Sequence, residues 1–340
     1  MDLSIPYYED NSRVSNSAIG YFLKSPRYFR EKMLNIAPNE STSSLRKGTM
    51  IHEYILQPEC FNDDYIVCPK STITPVSANQ KKFCEAMLNS TEIEPQKAAV
   101  AAYKSSYSIV GKSEETIVSE SLKMAENLKD YIELMKSDKT IISEYDLNKC
   151  EALRMNLETH LAASNMLNKK NVEEHHEFHI NWEYKDVPCK SLIDCIQFDH
   201  KNKVCTIIDL KTTAKIDHFE QSVKNYDYCR QLWFYTLAAR WYIQNELKDI
   251  KNHWSFEHYI IALSTDNDNT VRVFQFDQDN FIEPSKTIRD VIDNIKWYII
   301  NSESEGNPKC LLDSMRFEDL WEHTREYWEN DGIEHLNLEF

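Results

Sequence analysis

The sequence predicts an α/β or α+β fold in which a central mixed sheet, flanked by helices, follows a helical N-terminal part. Two observations lead to this prediction. From about residue 15 to residue 168, apolar residues recur at every third and fourth position, the period of amphipathic helices. From about Asn171 the period changes to two, which is typical of strands, and helical stretches separate the later strands.

The N-terminal part begins with short helices. "SNSAIGYFLKSPRYF" opens with a serine suited to cap a helix, and Pro26 predicts a break between two helices. "LRKGTMIHEYILQPECF" then places apolar residues and His52 on a third helix, which Pro58 ends. Most of the chain from Ala78 to Asn168 is also predicted to be helical.

The second part contains the predicted sheet. Three strands follow one another in "FHINWEY", "VPCKSLIDCIQF" and "VCTIIDLK". A long helix in "YDYCRQLWFYTLAARWYIQNEL" precedes two more strands, "EHYIIALST" and "VRVFQFD", and a helix in "IRDVIDNIKWYII". The predicted division is therefore a helical part over residues 1–170, a core over residues 171–306, and an acidic, aromatic tail over residues 307–340.

Length and composition indicate a soluble protein. The chain has 340 residues, 41% of them hydrophobic, which is enough for one large core or two modest ones. It contains no apolar run of the roughly 20 residues that a membrane span requires, and its first residues do not resemble a signal peptide. The prediction is a cytoplasmic location without a membrane partner.

The cysteines and clustered histidines do not indicate a metal cluster by themselves. None of the nine cysteines forms a C-x-x-C pair, and Cys195 and Cys205 lie in apolar strand-like runs. We expect reduced core thiols, with no iron–sulfur cluster or zinc site. Because His175, His176 and His179 are too close along the chain to converge on one ion, we expect them to be solvated.

The net charge of −16 argues against a nucleic-acid partner, because lysine and arginine are needed to neutralise phosphates. The sum does not describe the distribution of charge, however. A few lysines in one cleft, or metal ions held by carboxylates, can bind a polyanion while the remaining surface stays acidic.

One predicted hairpin brings two acids together. With a two-residue turn at Lys201–Asn202, Asp194 lies opposite Asp209, and Lys211 shares their face while Leu210 points away. Paired carboxylates favour Mg²⁺ or Mn²⁺, and Lys211 would hold or deprotonate the attacking water. The alternative for an isolated D-x-K motif is a cross-strand salt bridge at a sheet edge.

Taken in order, the motifs resemble those of the PD-(D/E)xK nucleases, and within them the RecE-type exonucleases (exodeoxyribonuclease VIII) of phages and prophages. The resemblance covers most of residues 15–300. It rests on the two N-terminal motifs quoted above, on "EFHINWE", "CKSLIDCI" and "IIDLKTT", and on "YDYCRQLWFYTLAA". It implies a restriction-endonuclease-like core.

Carried over by position, the resemblance makes Asp194 and Asp209 the metal-binding carboxylates, Leu210 a ligand through its carbonyl, and Lys211 the catalytic lysine. His52 matches the histidine with which RecB-like members add a metal ligand. For His52 the alternative is an ordinary surface or core residue.

Three further residues match functional positions of the family. Gln231 and Tyr235 match its Q-x-x-x-Y motif, and their spacing puts them on one helix face. The alternative for both is amphipathic packing. Glu177 matches an acidic position at the first strand that contacts a metal or its water, although Glu173 and Glu174 compete for this role.

The sequence departs from the family pattern near the first aspartate. Ile193 replaces the proline, Asp209 replaces glutamate, and Ser191 and Leu192 stand where members often have glycine and a basic residue. One phosphate contact is therefore in doubt, whereas the metal-binding acids are intact. The basic residues expected to follow the DNA backbone are Arg27, Lys47, Lys190, Lys215 and Arg230.

The function implied is a Mg²⁺-dependent exonuclease, for which Mn²⁺ can substitute. The resemblance implies digestion of linear duplex DNA from 5′ ends, leaving 3′ overhangs for a RecT-like single-strand annealing protein. It also implies ring-shaped homo-oligomers, trimers or tetramers. Two alternatives remain: a RecB-like nuclease subunit of a larger complex, and an inactive nuclease fold that serves as a DNA-binding or virion scaffold.

Overall fold

A computed structural model describes residues 5–37, 42–251, 253–266 and 268–301, together with Arg325 and Glu329. Nearly all of the predicted tail over residues 307–340 therefore lies outside the described residues. In chain order the helices and strands are α1 Asn16–Lys24, α2 Pro26–Met33, α3 Ser43–Leu56, α4 Pro58–Asp64, β1 Tyr65–Cys68, α5 Ala78–Leu88, α6 Pro95–Ser106, α7 Glu114–Leu134, β2 Thr140–Ser143, α8 Glu144–Thr159, α9 Leu161–Leu167, β3 Glu173–Tyr184, β4 Val187–Asp199, β5 Val204–Thr213, α10 Phe219–Asn225, α11 Tyr228–Asn245, β6 Ser255–Ser264, β7 Val271–Phe276 and α12 Ile282–Asn301.

The predicted break between the first two helices is confirmed. The Ser15 hydroxyl accepts a hydrogen bond from the Ala18 N–H and caps α1. The Ser25 hydroxyl accepts one from the Tyr28 N–H at 3.0 Å and caps α2. Pro26 is the first residue of α2, where a backbone N–H would have no partner within the helix.

The predicted mixed sheet is also confirmed. Within the described residues, five strands form one sheet in the order β3-β4-β5-β6-β7. Strands β5 and β6 are parallel, whereas each other neighbouring pair is antiparallel. A parallel step requires a crossover connection, and this one contains α10 and α11.

Helix α11 packs against one face of the sheet and closes the main core. The centre of its Phe234 ring lies 4.9 Å from the centre of the Trp182 ring on β3. The centre of its Tyr242 ring lies 5.6 Å from that of the Phe198 ring on β4. On β5, Cys205 and Ile207 belong to the same core. Because side chains alternate along a strand, the odd-numbered positions that follow them on β5 face α11 as well.

The chain forms two compact units. One comprises the described residues up to Gly48 and from Met155 onward, and the other is Thr49–Arg154. In the second unit, α5, α6 and α7 enclose a small core, and β1 and β2 form a parallel pair. These two strands were not predicted, because four residues are too few to show a period. The predicted boundaries at residues 170 and 306 stay predictions.

Two further features concern the class of protein. No helix in the described ranges is both long enough and apolar enough to cross a membrane. Each cysteine in those ranges is free of a disulfide bond, and Cys189, Cys195 and Cys205 are buried in the sheet.

Candidate active site

The hairpin of β4 and β5 has the predicted register, but its ladder ends just before the two aspartates. Pairing extends as far as Cys195 opposite Ile208. At the next position, Asp194 Oδ2 accepts a hydrogen bond from the Leu210 N–H at 2.7 Å. The strands therefore separate at Asp194 and Asp209, and a side-chain carboxylate replaces the backbone acceptor.

The predicted two-residue turn at Lys201–Asn202 is wrong in length. The last paired residues are Asp199 and Val204, so four residues form the turn. The Asp199 carboxylate accepts hydrogen bonds from the Lys201 N–H at 3.1 Å and the Asn202 N–H at 2.9 Å. These hydrogen bonds take the place of one further backbone pair between β4 and β5, and they leave the register of the strands unchanged.

Glu177 on β3 lies in the same row of the sheet as Asp194. The residues on either side of Glu177 pair with those on either side of Asp194. Glu177 has a φ of 46°, in the left-handed region that residues with a side chain seldom adopt. Carboxylate oxygens of Glu177 and Asp194 lie within 4.8 Å of each other. The structure thus favours Glu177 over Glu173 and Glu174 as the third acid of the site.

Lys211 is the cation of this site. Its Nζ lies 2.6 Å from Asp209 Oδ2 and 5.1 Å from the centre of the Tyr228 ring. Asp209 is fully buried. Burial alone would lower the pKa of Lys211, but the charges of Asp209 and Asp194 outweigh it and raise that pKa above its ordinary value.

The carboxylates repel one another. Burial raises the pKa of Asp194, against the opposing effects of the Lys211 charge and the Leu210 N–H. Burial and the charges of Asp194 and Asp209 raise the pKa of Glu177 to about 7. The charge of Lys211 therefore does not offset the burial and repulsion that raise the pKa values of Asp194 and Glu177, which is the situation that a divalent cation relieves.

Helix α11 supplies the polar groups that face the acids. Gln231 Nε2 donates a hydrogen bond to the Tyr235 hydroxyl at 2.8 Å, as their spacing on one helix face allows. Tyr235 is buried, and its pKa is raised by burial and then by the charges of Asp209 and Asp194. Gln231 and Tyr235 thus lie on the same side of the sheet as the carboxylates.

Two tyrosines near the N-terminus were missed in the sequence. The Tyr7 carbonyl accepts a hydrogen bond from Lys190 Nζ, which also lies 4.5 Å from the centre of the Tyr7 ring. Tyr8 is largely exposed, and the centre of its ring lies 5.2 Å from that of the Tyr7 ring in an edge-on contact. Partial desolvation by nearby protein atoms, followed by the charges of Glu177 and Asp194, nevertheless raises the pKa of Tyr8. The only available signal was the tyrosine pair in "IPYYED".

The five predicted DNA contacts are in different environments. Arg27, Lys47 and Lys215 are exposed, and Arg27 forms an ion pair with Glu31 on its own helix. Lys190 is buried against Tyr7, and its pKa is lowered by burial. Arg230 is also buried, and its Nε donates to Asn16 Oδ1 at 3.2 Å. The exposed three are therefore the better placed to meet a polyanion.

Two predicted metal ligands stay predictions. His52 lies on α3 and belongs to the second compact unit. Leu210 is buried, as expected for a side chain on the face of β5 opposite to that of Lys211. Its N–H donates a hydrogen bond to Asp194 Oδ2. The ligand roles of the His52 imidazole and the Leu210 carbonyl rest on the family resemblance.

Comparison with known proteins identifies the family. A similar solved structure is that of a "Putative exonuclease" from Eubacterium rectale, with 11% identity, a TM-score of 0.44, and coverage of 87% of this chain and 85% of that one. No curated protein matches the chain. The model of a family described as "PDDEXK-like domain of unknown function" (DUF3799) matches residues 15–310. The resemblance to the PD-(D/E)xK superfamily is thereby confirmed, and the chain belongs to this family of PDDEXK-like domains.

Proposed function

We propose that the protein is a metal-dependent deoxyribonuclease, an exonuclease that hydrolyses phosphodiester bonds of linear double-stranded DNA. The row of Glu177, Asp194 and Asp209, placed where β4 and β5 separate, carries this proposal. Clustered, largely buried carboxylates destabilise a fold unless a cation compensates them, so they indicate a site maintained for chemistry. Membership of a PDDEXK-like family supports a nuclease.

The ligand atoms suit Mg²⁺, for which Mn²⁺ would substitute. Glu177, Asp194 and Asp209 offer carboxylate oxygens, the ligands that hard divalent cations prefer. The resemblance adds the Leu210 carbonyl and the His52 imidazole. A bound cation would activate water and neutralise charge on the phosphate.

The side chains facing the acids would act on the substrate. The Lys211 ammonium, next to Asp209, would stabilise the negative charge that develops on the phosphoryl oxygens. Gln231 and Tyr235 would orient the phosphate or the attacking water, and the hydrogen bond between them restricts both side chains.

The resemblance to RecE-type enzymes supplies the finer part of the proposal. In this form the protein degrades DNA from 5′ to 3′ and leaves 3′ single-stranded overhangs for recombination. A RecT-like annealing protein would take up the overhang, and a ring-shaped trimer or tetramer would enclose the DNA. Arg27, Lys47 and Lys215 would contact the backbone. The enzyme would act in the cytoplasm, the host's if a phage encodes it.

An end-labelling experiment tests the proposal. Linear duplexes labelled at the 5′ or the 3′ end, free or blocked, are incubated with Mg²⁺ and the wild type, Lys211→Ala or Asp209→Ala. We expect release by the wild type that depends on a free 5′ end, and a loss of about 100-fold or more in each variant. Lys201→Ala, an exposed lysine in the turn of the same hairpin, is the matched control.

Each other outcome has a distinct meaning. Release that is equal in the wild type and both variants would refute the proposed site. No release, with DNA still bound, would favour the scaffold alternative, which the charge of −16 supports. Release that depends on a free 3′ end would keep the nuclease and refute the polarity. A His52→Ala variant that needs more Mg²⁺ for half-maximal rate would support the additional ligand.

A further inference from the structure

We propose that Glu174, His176 and Cys195 form a second metal site that binds Zn²⁺. They offer a carboxylate, an imidazole and a thiol, and one ligand atom from each lies within 4.8 Å of the other two. The family resemblance assigns no role to His176 or Cys195, and it offers Glu174 only as an alternative to Glu177. The sequence predicted a solvated histidine and a core thiol instead. The proposal does not depend on the nuclease activity.

The pairing of β3 and β4 brings these ligands together. His176 is directly opposite Cys195, and Glu174 is directly opposite Gln197. Since alternate residues of a strand share a face, the four side chains form a square on one face of the two strands. Ile196 and Phe198, which alternate with them, belong to the main core on the opposite face.

Gln197 provides an independent indication of a ligand in this square. Its side chain is almost fully buried, and its Nε2 donates to Glu174 and, at 2.7 Å, to the Met166 carbonyl. Among the described residues, Gln197 Oε1 finds no hydrogen-bond partner. A buried acceptor without a donor is unfavourable, because the hydrogen bonds to water that it lost on burial are not replaced. A water molecule held by a cation beside Glu174 would supply the missing donor.

The types of ligand select the metal. Thiolate and imidazole favour Zn²⁺ and similar transition metals, whereas Mg²⁺ prefers oxygen atoms alone. Three protein ligands leave a fourth position of a tetrahedral site for water. His176 is exposed and gives an ion access from solvent, whereas Cys195 is buried. In the metal-free protein His176 Nε2 is 3.0 Å from Glu174 Oε1, so these two ligands already lie side by side.

A metal at this position would reinforce the active-site row. His176 directly precedes Glu177, and Cys195 directly follows Asp194. Both therefore lie next to the point where the β3–β4 pairing is irregular. An ion that links His176 to Cys195 would hold the two strands together beside this irregularity. In excess Mg²⁺, which occupies oxygen-only sites, we therefore expect Zn²⁺ to raise the unfolding midpoint of the wild type and to leave that of Cys195→Ala unchanged.

Cobalt spectroscopy tests the site directly. Co²⁺ is added to the reduced full-length protein in excess Mg²⁺, which occupies oxygen-only sites, and the thiolate-to-cobalt charge-transfer band is recorded. We expect one Co²⁺ per chain with this band, and its displacement by Zn²⁺. The band should be absent in Cys195→Ala and weaker at equal Co²⁺ in His176→Ala and Glu174→Gln.

Two variants serve as controls. Cys205→Ala removes a buried thiol from the neighbouring strand and should keep the band. Asp209→Asn alters the proposed catalytic site and should keep it as well, which separates this test from that of the nuclease. Absence of the band in the wild type, its persistence in Cys195→Ala, or its equal loss in Cys205→Ala would each overturn the proposal. If Cys195→Ala does not fold, undiminished Co²⁺ binding by both His176→Ala and Glu174→Gln overturns it.

Discussion

The Glu177 carboxylate ionises next to two other acids, and this should appear in the pH dependence of stability. The folded, metal-free protein keeps the Glu177 proton up to about pH 7, whereas the unfolded chain releases it near the ordinary 4.5. The contribution of Glu177 to stability is therefore complete below pH 4.5 and is lost as the pH rises towards 7.

We accordingly expect Glu177→Gln to remove a decrease in the free energy of unfolding between pH 4.5 and 7. Urea titrations in EDTA across this range measure it. Glu183→Gln, at an exposed position on the same strand, should behave like the wild type. Parallel curves for the wild type and Glu177→Gln would contradict the assigned environment of the carboxylate.

Lys211 and Asp209 form a pair whose members depend on each other. Asp209 is fully buried, so Lys211→Met should remove the ammonium group beside its carboxylate and cost about 3 kcal/mol of unfolding free energy without metal. Asp209→Asn should cost less, because the Lys211 side chain is 17% exposed. The double variant should lose clearly less than the sum of the single losses, and strictly additive losses would show that the pair is not coupled.

At the scale of elements, α11 joins the candidate active site to the sheet. On one side it carries Tyr235, whose pKa is raised by burial and by the charges of Asp209 and Asp194, together with its hydrogen-bond partner Gln231. On the other, the Thr236 hydroxyl lies 2.7 Å from His258 Nε2 on β6. The position of Gln231 and Tyr235 thus depends on a buried contact between α11 and a strand that carries none of the acids.

The same contact predicts a pH effect opposite in sign to that of Glu177. Burial lowers the pKa of His258 to about 4 from the ordinary 6.5. Its contribution to stability is therefore complete above pH 6.5 and is lost as the pH falls towards 4, by about 3 kcal/mol at most. His258→Gln should remove this loss in urea titrations, whereas the exposed His253→Gln should not. An unchanged profile for His258→Gln would contradict a buried, neutral imidazole.

At the scale of the whole molecule, a net charge of −16 must coexist with a polyanionic substrate. Three of the five predicted DNA contacts are exposed, and each neutralised phosphate contributes about −0.9 to the slope of log affinity against log salt concentration. We therefore expect a slope of about −3 or shallower for Lys211→Ala, the variant expected to be inactive, measured in Mg²⁺ by fluorescence anisotropy. Adding Lys215→Ala should make the slope shallower by about one. A slope near −8 would contradict the expectation, because it would require a basic surface that these residues do not provide.

The sequence by itself determined the type and order of the main elements, the β4–β5 register and the family motifs. It did so because these features depend on local periodicity, helix caps and turns, which neighbouring residues specify. The turn of the hairpin is longer than predicted, because the Asp199 side chain accepts a hydrogen bond from the Asn202 N–H in place of a further backbone pair.

Only the tertiary structure decided which acid lies beside Asp194 and which other groups meet. Glu177, Glu174 and Glu173 look alike in sequence, but the left-handed backbone at Glu177 and its place opposite Asp194 distinguish it. The proximity of His176 to Cys195 likewise arises from pairing between strands. Such contacts join residues far apart in the chain, and no local period records them.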